Sequence, residues 1–439
     1  MHRLGQVLAS LLILTAGVGL AHDTYARSPK PVPLAVIADP HLYHARLGTS
    51  GEAFEAYLAQ DPKLLKESEA ILDSALAAVA AEKPRFLIIP GDLTKDGELV
   101  NHLLMAQKLA RLEAQGVKVF VVPGNHDINN PEAVAYHGAT TCRVPNVSPR
   151  MFRAIYHAFG YGQAIAHDTR SLSYVAEPVR GVWLLAIDSC DYEQNAQLGH
   201  SAVGGRLVPE TLAWVLDQLQ QARVQGKKVI AFMHHGVNQN YIPQPLIFPD
   251  FILDDWALVG AQLAGAGLEV LFSGHYHSQD AAFPLDASGV PVPTLVDVET
   301  SSLAWYPCAF RMATLQADDT LSIASRQVTE INADTGGVPF PAYAANFVAT
   351  RLAGPVILQI KAMFGLPDEQ AAQLAPLVVE VLMAQYAGDE AIGSDRYTQL
   401  VGWAQSGDPL FSQLGLLLLG MWTDLPPGDN NLVVPLTGN

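Results

Sequence analysis

The sequence contains little cysteine and little positive charge. Its 439 residues include 3 cysteines, too few for a disulfide framework or a thiolate metal site. Lysine and arginine number 26 against 43 aspartates and glutamates, which gives a net charge of −17 and argues against the nucleic-acid backbone as a partner. Charged residues are 16% and apolar residues 49% of the chain, a composition that indicates an ordered globular protein.

The first 26 residues are typical of a secretory signal peptide. Arg3 precedes a mostly apolar run from residue 7 to residue 21, and cleavage is expected after Ala21 or Ala26. The run has about 15 residues, fewer than the ~20 that span a bilayer, so an uncleaved anchor is the less favoured alternative. No later segment is long enough to span a bilayer. No cysteine lies near the expected cleavage site, where a lipid could be attached. We therefore expect a free secreted or periplasmic protein.

The oxidising compartment that export implies permits one disulfide among the three cysteines. Cys142 and Cys308 both lie in loop-like sequence, whereas Cys190 follows an apolar strand. We expect a bridge, where one forms, to join Cys142 to Cys308 and Cys190 to be buried.

Short apolar runs alternate with longer helical patterns from residue 33 to about residue 280, which is typical of βαβ units and a parallel sheet. The clearest helix has an apolar stripe between residues 64 and 79. A second runs from Val208 to Ala222, with Pro209 at its start. The predicted strands are Leu34–Ala38, Phe86–Ile89, Val117–Val122, Val182–Ile187, Lys228–Met233, Glu269–Phe272, Leu295–Val298, Ala309–Leu315 and Leu321–Val328.

The composition changes after Gly336-Gly337. The rest of the chain is rich in alanine and leucine at helical spacing and contains no chemical motif. The predicted helices are Phe347–Phe364, Glu369–Ala387, Asp395–Gln405 and Leu410–Met421. We therefore divide the chain into a core of residues 30–330 and a helical extension of residues 338–439. The extension is a lid, a dimer surface or a packing element, and the sequence does not specify the oligomeric state.

Five short polar clusters each follow a predicted strand. Strand carboxyl ends meet at one edge of an open α/β sheet, so loops distant in sequence are expected to meet there. The clusters are Asp39-Pro40-His41, Gly91-Asp92, Gly124-Asn125-His126-Asp127, His234-His235 and Gly274-His275-Tyr276-His277. Their oxygen and imidazole donors, with no thiolate, suit manganese, zinc or iron. The glycines let the backbone come close to the ions or the substrate.

This ordered set of motifs, DxH, GD, GNHD, a strand-terminal His and GHxH, resembles the calcineurin-like metallophosphoesterase superfamily. The resemblance covers residues 34 to about 280 and implies an α/β fold, a four-layer αββα sandwich, with a two-metal centre between strand ends. It implies Asp39, His41 and His277 as ligands of one metal. It also implies Asn125, His234 and His275 as ligands of the other, with Asp92 as the bridging carboxylate.

The resemblance also assigns roles beside the metals. His126 matches the catalytic histidine that is not a ligand, and it is expected to protonate the leaving alkoxide or stabilise phosphoryl charge. Asp127 is expected to orient His126 or a neighbouring loop. The choice of His234 over His235 follows the habit of the family, and the alternative has His235 contacting substrate.

Three features bear on the type of phosphoesterase. Lys95 stands where purple acid phosphatases have a tyrosine, which argues against a ferric-tyrosinate site. The Ala38-Asp39-Pro40-His41 start differs from that of secreted 5′-nucleotidases. Gly91-Asp92-Leu93-Thr94 is closer to the GDLTxxG pattern of class III cyclic-nucleotide and glycerophosphodiester phosphodiesterases. The resemblance thus favours a phosphodiesterase.

We therefore expect an exported enzyme that hydrolyses a small-molecule phosphodiester by attack of a hydroxide bridging two ions of manganese, iron or zinc. The alternative is a phosphomonoesterase, such as a nucleotidase or general phosphatase, with the same centre. A scaffold without turnover is disfavoured because the ligand set is intact. Residues 136–161, a long insertion after the GNHD motif, are expected to wall the substrate cleft. For their arginines Arg143, Arg150 and Arg153, surface or structural roles are favoured over phosphate binding.

Overall fold

The computed structural model describes residues 30–436. The predicted signal peptide lies outside these residues, so it and export stay predictions. The strands are β1 (Val32–Val36), β2 (Phe86–Ile89), β3 (Lys118–Val121), β4 (Val134–His137), β5 (Thr140–Arg143), β6 (Ala164–His167), β7 (Tyr174–Val179), β8 (Val182–Ile187), β9 (Lys228–Met233), β10 (Val270–Ser273), β11 (Asp280–Ala282), β12 (Val296–Glu299), β13 (Ala309–Leu315), β14 (Thr320–Gln327) and β15 (Asn431–Pro435). The α-helices are α1 (Glu52–Gln60), α2 (Ser68–Glu82), α3 (Leu99–Glu113), α4 (Pro149–Ile155), α5 (Asn195–Leu198), α6 (Pro209–Val224), α7 (Gln244–Ile247), α8 (Trp256–Gly265), α9 (Phe340–Phe364), α10 (Asp368–Ala387), α11 (Ser394–Ala404) and α12 (Pro409–Met421).

Two sheets form the centre of the core. The first has the order β15-β14-β13-β1-β2-β3, and the second has the order β11-β12-β10-β9-β8-β7-β6. β1, β2 and β3 are parallel, and so are β8, β9, β10 and β12. The carboxyl ends of these strands therefore lie at a common edge of each sheet.

Successive side chains along each strand point to opposite faces of the sheet, and each face packs against a different layer. Ile230 and Phe232 of β9 belong to the core cluster that contains the strands of the first sheet, whereas Ala231 and Met233 belong to the cluster that contains α6 and α8. α2 and α3 pack against the first sheet, with apolar side chains such as Leu72 in its core. The predicted four-layer αββα sandwich is confirmed.

Some local elements differ from the sequence prediction. The β4–β5 hairpin and β6, β7, β11 and β15 were not predicted, and all four side chains of β5 are exposed, so this strand has no apolar alternation to reveal it. The predicted disulfide is wrong: Cys142 is exposed, Cys308 is buried, and both are free. Cys190 is half-buried.

The carboxyl-terminal helices have an apolar core of their own. Val348, Leu352, Val356 and Ile360 recur every four residues along α9 and pack with α10 and α12. Tyr276 and Trp305 of the sandwich belong to the same cluster. The helical region thus shares its packing with the part of the core where the polar motifs lie.

α9 corrects one sequence expectation. Its 25 residues are long and apolar enough to cross a membrane, by length and composition alone, although no segment after the amino terminus was expected to qualify. Core helices of folded proteins meet the same two criteria. Helix α9 packs on α10 and contributes buried residues to the helical core.

The chain returns from the helices to the first sheet through a polar anchor. Asp429 accepts hydrogen bonds from the backbone N–H groups of Ala281 at 2.9 Å and Asp389 at 2.6 Å. Arg311, fully buried on β13, donates to the carbonyl of Asp280 at 2.9 Å and to that of Asp429. β15 then pairs with the edge strand β14, so the helical region is tied to the sandwich at both ends.

Several carboxylates crowd around this anchor. Burial, followed by repulsion from Asp429, raises the pKa of Glu390 to about 9. Burial and the neighbouring Asp389 raise the pKa of Asp424 to about 6. A carboxyl group whose pKa is raised on folding contributes stability while it is protonated, and this contribution is lost as the pH rises through the folded pKa.

We predict that Glu390→Gln flattens the pH dependence of stability. Wild-type unfolding free energy should fall between about pH 5 and pH 9, and the variant should be about 1–2 kcal/mol more stable than wild type at the alkaline end. Thermal unfolding across this range measures the effect. Glu369→Gln, which changes an exposed glutamate in the first turn of α10, is the control. An unchanged profile in Glu390→Gln would contradict the prediction.

Candidate metal centre

The five predicted polar clusters meet at the carboxyl ends of β1, β2, β3, β9 and β10. The structure brings all seven predicted ligands together. His277 is half-buried, and the other six are buried. These six are Asp39, His41, Asp92, Asn125, His234 and His275.

One group of ligand atoms comes from Asp39, His41, Asp92 and His277, and these atoms lie within 4.8 Å of one another. The Nε2 atoms of His41 and His277 are 3.1 Å apart. Asp92 Oδ2 lies 3.6 Å from His41 Nε2, and Asp39 Oδ1 lies 3.7 Å from His277 Nε2. Two carboxylates and two imidazoles thus point at one small volume.

A second group lies next to the first. His234, His235 and His275 offer nitrogens within 4.8 Å of one another, and Asn125 Oδ1 lies 2.9 Å from His234 Nε2. Asp92 Oδ2 is 3.4 Å from His234 Nε2. Since the same oxygen is 3.6 Å from His41 Nε2, the Asp92 carboxylate lies between the two groups, where a bridging ligand belongs.

His235 is held by partners outside the two groups. Its Nδ1 lies 2.8 Å from Ser189 Oγ, and its Nε2 lies 3.1 Å from the carbonyl oxygen of Val203. The ring is fully buried and does not line the cavity described below. The geometry therefore gives no support to the alternative in which His235 contacts substrate.

The donor set fits two divalent cations. His41 Nδ1 is buried without a hydrogen-bond partner. Burial raises the pKa of Asp39 to about 8, although His234 opposes this. Burial acts in the same direction on Asp92, but His234 and His126 outweigh it and hold the pKa of Asp92 well below its usual range. Nitrogen and oxygen donors packed so closely are stabilised by a cation of manganese, iron or zinc type.

Two motif glycines make room for the carboxylates. A Cβ on Gly124 would lie 2.1 Å from Asp92 Oδ1, and a Cβ on Gly274 would lie 2.1 Å from Asp39 Oδ2. Neither distance is compatible with a side chain. These glycines were predicted to let the backbone come close to the ions or the substrate, whereas in the structure they make room for the ligand side chains themselves.

The ligand-bearing loops are strained. Asp39, His41, Asp92, His275 and His277 all have positive φ, between +37° and +75°, a region that residues with a Cβ seldom adopt. Backbone hydrogen bonds hold these turns, as when the His41 N–H donates to the Asp92 carbonyl at 3.0 Å. Strain of this kind is concentrated at functional sites.

His126 lies beside the two groups, partly exposed. Its Nδ1 is 2.8 Å from Asp96 Oδ1, and its backbone N–H donates to Asp92 Oδ1 at 2.9 Å. Asp96 is itself ion-paired with Lys95, which is fully buried. Burial and Lys63 lower the pKa of His126, but Asp92 and Asp96 outweigh them and the net shift is upward.

Asp96 is the orienting residue that sequence analysis missed. Asp127 was expected in this role or in holding a loop. Its carboxylate accepts hydrogen bonds from the backbone N–H groups of Leu93 at 3.0 Å and Gly124 at 2.9 Å, so it holds the loops after β2 and β3. The acidic pair around Gly97, Asp96 and Glu98, was the available signal.

A cavity of about 550 Å³ opens from the metal centre. Its lining includes Asp92, Asn125, His126, His275 and His277 together with residues of α9, α10 and α12. The expected wall of residues 136–161 is wrong: within the described chain none of them lines this cavity. Their arginines are exposed, as the favoured surface role predicts.

Comparisons with known proteins give one family match and several more distant similarities. The family model of calcineurin-like phosphoesterases matches residues 32–279. A probable cyclic nucleotide phosphodiesterase of Pseudoalteromonas sp. (strain SM9913) is 32% identical over 105 residues, 24% of this chain; the match spans only about a third (35%) of that relative's length. A dimetal phosphatase from Danio rerio aligns over 68% of this chain and 97% of its own, with 15% identity and a TM-score of 0.47. GAP50, the anchor in the inner membrane complex of Plasmodium, aligns over 70% and 88%, with 9% identity and a TM-score of 0.38.

We predict that Gly274→Ala weakens metal binding at least tenfold, because the added Cβ displaces the Asp39 carboxylate. Metal content after dialysis against a chelator, measured by plasma mass spectrometry, gives the loss. Gly265→Ala is the matched control, since a Cβ there meets nothing within 4 Å. Equal metal retention by the two variants would show that Gly274 does not shape the site.

Proposed function

The chain belongs to the calcineurin-like phosphoesterase family, and from this premise we propose that it hydrolyses phosphodiesters in preference to phosphomonoesters. Members of this family are metal-dependent phosphoric ester hydrolases with a dinuclear centre. The family therefore covers the reaction class, and the preference for diesters is the part that we propose.

The charge of the cavity wall is the observation that carries the proposal. Among the described residues that line the cavity, Lys63 is the only lysine or arginine, and its Nζ lies 2.6 Å from Asp61 Oδ2. Glu132 adds a negative charge to the same wall. A phosphomonoester carries up to two negative charges and a phosphodiester carries one. A wall without an unpaired cationic side chain suits the monoanion better.

The partial match to a probable cyclic nucleotide phosphodiesterase also supports this preference. That match covers 24% of this chain, so it supports the reaction type and leaves the substrate open. The GDLT sequence at residues 91–94 points the same way, since it resembles phosphodiesterases of class III.

The proposed roles follow from the geometry. Asp39, His41, His277 and Asp92 would hold one cation, and Asn125, His234, His275 and Asp92 would hold the other. Such a pair, when bound, supplies Lewis acidity toward the phosphoryl oxygens and lowers the pKa of water.

His126 lines the cavity beside the ligands, where it can donate a proton to the departing oxygen. The hydrogen bond that the Nδ1–H group donates to Asp96 Oδ1 fixes the ring and leaves Nε2 free for that task. Asp96 thus acts through His126 as a positioning residue, and Lys95 balances its charge.

We predict that His126→Gln slows esters with poor leaving groups most. Phenolate is a poorer leaving group than p-nitrophenolate, so its departure depends more on proton donation. We therefore expect kcat to fall about 100-fold for a phenyl diester and about 10-fold or less for the p-nitrophenyl diester. Asp96→Asn should show the same pattern with smaller losses. Both variants should retain metal. Equal losses on the two leaving groups would remove His126 from the role of proton donor.

We predict that wild-type protein, stripped of metal and reloaded with manganese, zinc or iron in turn, hydrolyses bis(p-nitrophenyl) phosphate faster than p-nitrophenyl phosphate. Gln60→Lys adds a cation at an exposed position on the cavity wall, and it should shift the ratio of the two rates at least threefold toward the monoester. Gln115→Lys, on an exposed residue that does not line the cavity, is the matched control.

Faster hydrolysis of the monoester than of the diester by the wild-type protein would contradict the proposal and favour a phosphomonoesterase.

The Asp92→Asn variant distinguishes an enzyme from a scaffold. Because Asp92 lies between the two ligand groups, its loss should remove both hydrolytic activities together with the bound metal. Turnover of either ester unaffected by that substitution would show that the reaction does not use this centre.

A further inference from the structure

The wall that the helical region contributes to the cavity is apolar. Helix α9 contributes Leu352, Val356 and Ile360, and α12 contributes Leu414 and Leu418. Among the described residues that α9, α10 and α12 place on this wall, none carries a charge. A cavity of about 550 Å³ is within the range of sites that enclose a drug-sized ligand. An apolar wall is stabilised by contact with an apolar ligand group.

The apolar and the polar walls belong to one continuous cavity. His126 and His277 line the same space as Leu352 and Leu418, with Trp305 between them; its ring centroid lies 5.4 Å from that of His277. A phosphoryl group held at the ligands therefore has a substituent directed along the hydrocarbon surface. Nucleosides and glycerol would leave most of that surface without a partner.

The apolar surface continues to the exterior of the protein. An adjoining groove of about 500 Å³ shares Ile247, Met363, Phe364 and Leu417 with the cavity. Near it Leu246 is 84% exposed and Leu416 is 62% exposed. Leucines this exposed beside a cavity mouth form an apolar patch of the kind that marks an interaction site.

We propose that the natural substrate is a phosphodiester that carries a hydrocarbon chain, and that the cavity formed by α9, α10 and α12 binds this chain. The inference rests on the proposed phosphodiesterase function and specifies its substrate class. Water adds its oxygen to phosphorus as the bond from phosphorus to one ester oxygen breaks. The products are a phosphomonoester and an alcohol, and the proton that water loses is delivered to the alcohol oxygen.

The exposed leucines at the mouth fit a lipid surface from which such a substrate is taken. With a net charge of −17, the protein would be repelled by an anionic bilayer. A zwitterionic surface, such as phosphatidylcholine, is therefore the partner that the charge allows.

The first experiment measures kcat/KM for methyl, butyl, octyl and dodecyl esters of p-nitrophenyl phosphate, each below its micelle-forming concentration. We expect kcat/KM to rise about fourfold per added methylene until the cavity is filled, since burial of one methylene, about 0.8 kcal/mol, corresponds to about that factor. If the methyl ester and bis(p-nitrophenyl) phosphate are hydrolysed but kcat/KM does not change with chain length, the chain-binding inference alone would be overturned. No turnover of any diester would overturn the proposed function itself.

A pair of variants tests the location of the chain. Leu417→Trp fills the cavity from α12, and Leu419→Trp makes the same change at a half-buried leucine of α12 that does not line it. We expect Leu417→Trp to lower the ratio of dodecyl to methyl kcat/KM at least tenfold and Leu419→Trp to leave it unchanged. Equal ratios in the two variants would place the chain elsewhere.

The lipid surface is tested with phosphatidylcholine vesicles. Leu246→Asp should lower co-sedimentation with these vesicles at least fivefold, and Leu103→Asp, at an exposed leucine of α3, should not. Wild-type protein that stays in the supernatant would overturn the membrane source. Chain-length dependence in the soluble series would then assign the site to free amphiphiles.

Discussion

Most of this structure depends on the burial of two carboxylates and several imidazoles within one small volume. Burial of charged side chains in an apolar interior costs free energy unless a group of opposite charge lies close to them. The fold supplies the remaining support through backbone turns with positive φ at Asp39, His41, Asp92, His275 and His277. The strain in these turns is balanced by the packing of two sheets behind them. The sandwich thus holds a polar arrangement that no single loop would maintain.

The core and the ligand set could be predicted because both depend on local patterns. The observed bounds of β2, β8, β9 and β13 agree with those predicted from apolar runs, since a strand buried on both faces leaves a continuous apolar signature. The polar residues follow these strands directly, so the parallel arrangement brings them together. The order of the motifs along the chain therefore predicts the position of the candidate site.

The rest depends on contacts between residues distant in sequence. Spacing alone does not show that Asp96, rather than Asp127, reaches the His126 ring, because that depends on how the loop after β2 bends. The same holds for β15, which pairs with β14 only after the chain has passed through four helices. The helical periodicity of α9 and α12 was visible, but the cavity between them and the metal centre arises from tertiary packing.

The return of the chain to the first sheet changes what the helical region is. Because β14 precedes it and β15 follows it as neighbouring strands, the region is topologically an insertion between two strands of one sheet and not a tail. The region is therefore attached to the sheet at both of its ends. Removal of everything after residue 339 would also strip an edge strand from the sheet and expose the backbone groups of β14. A shortened chain of that kind would therefore report on the sheet as much as on the helices.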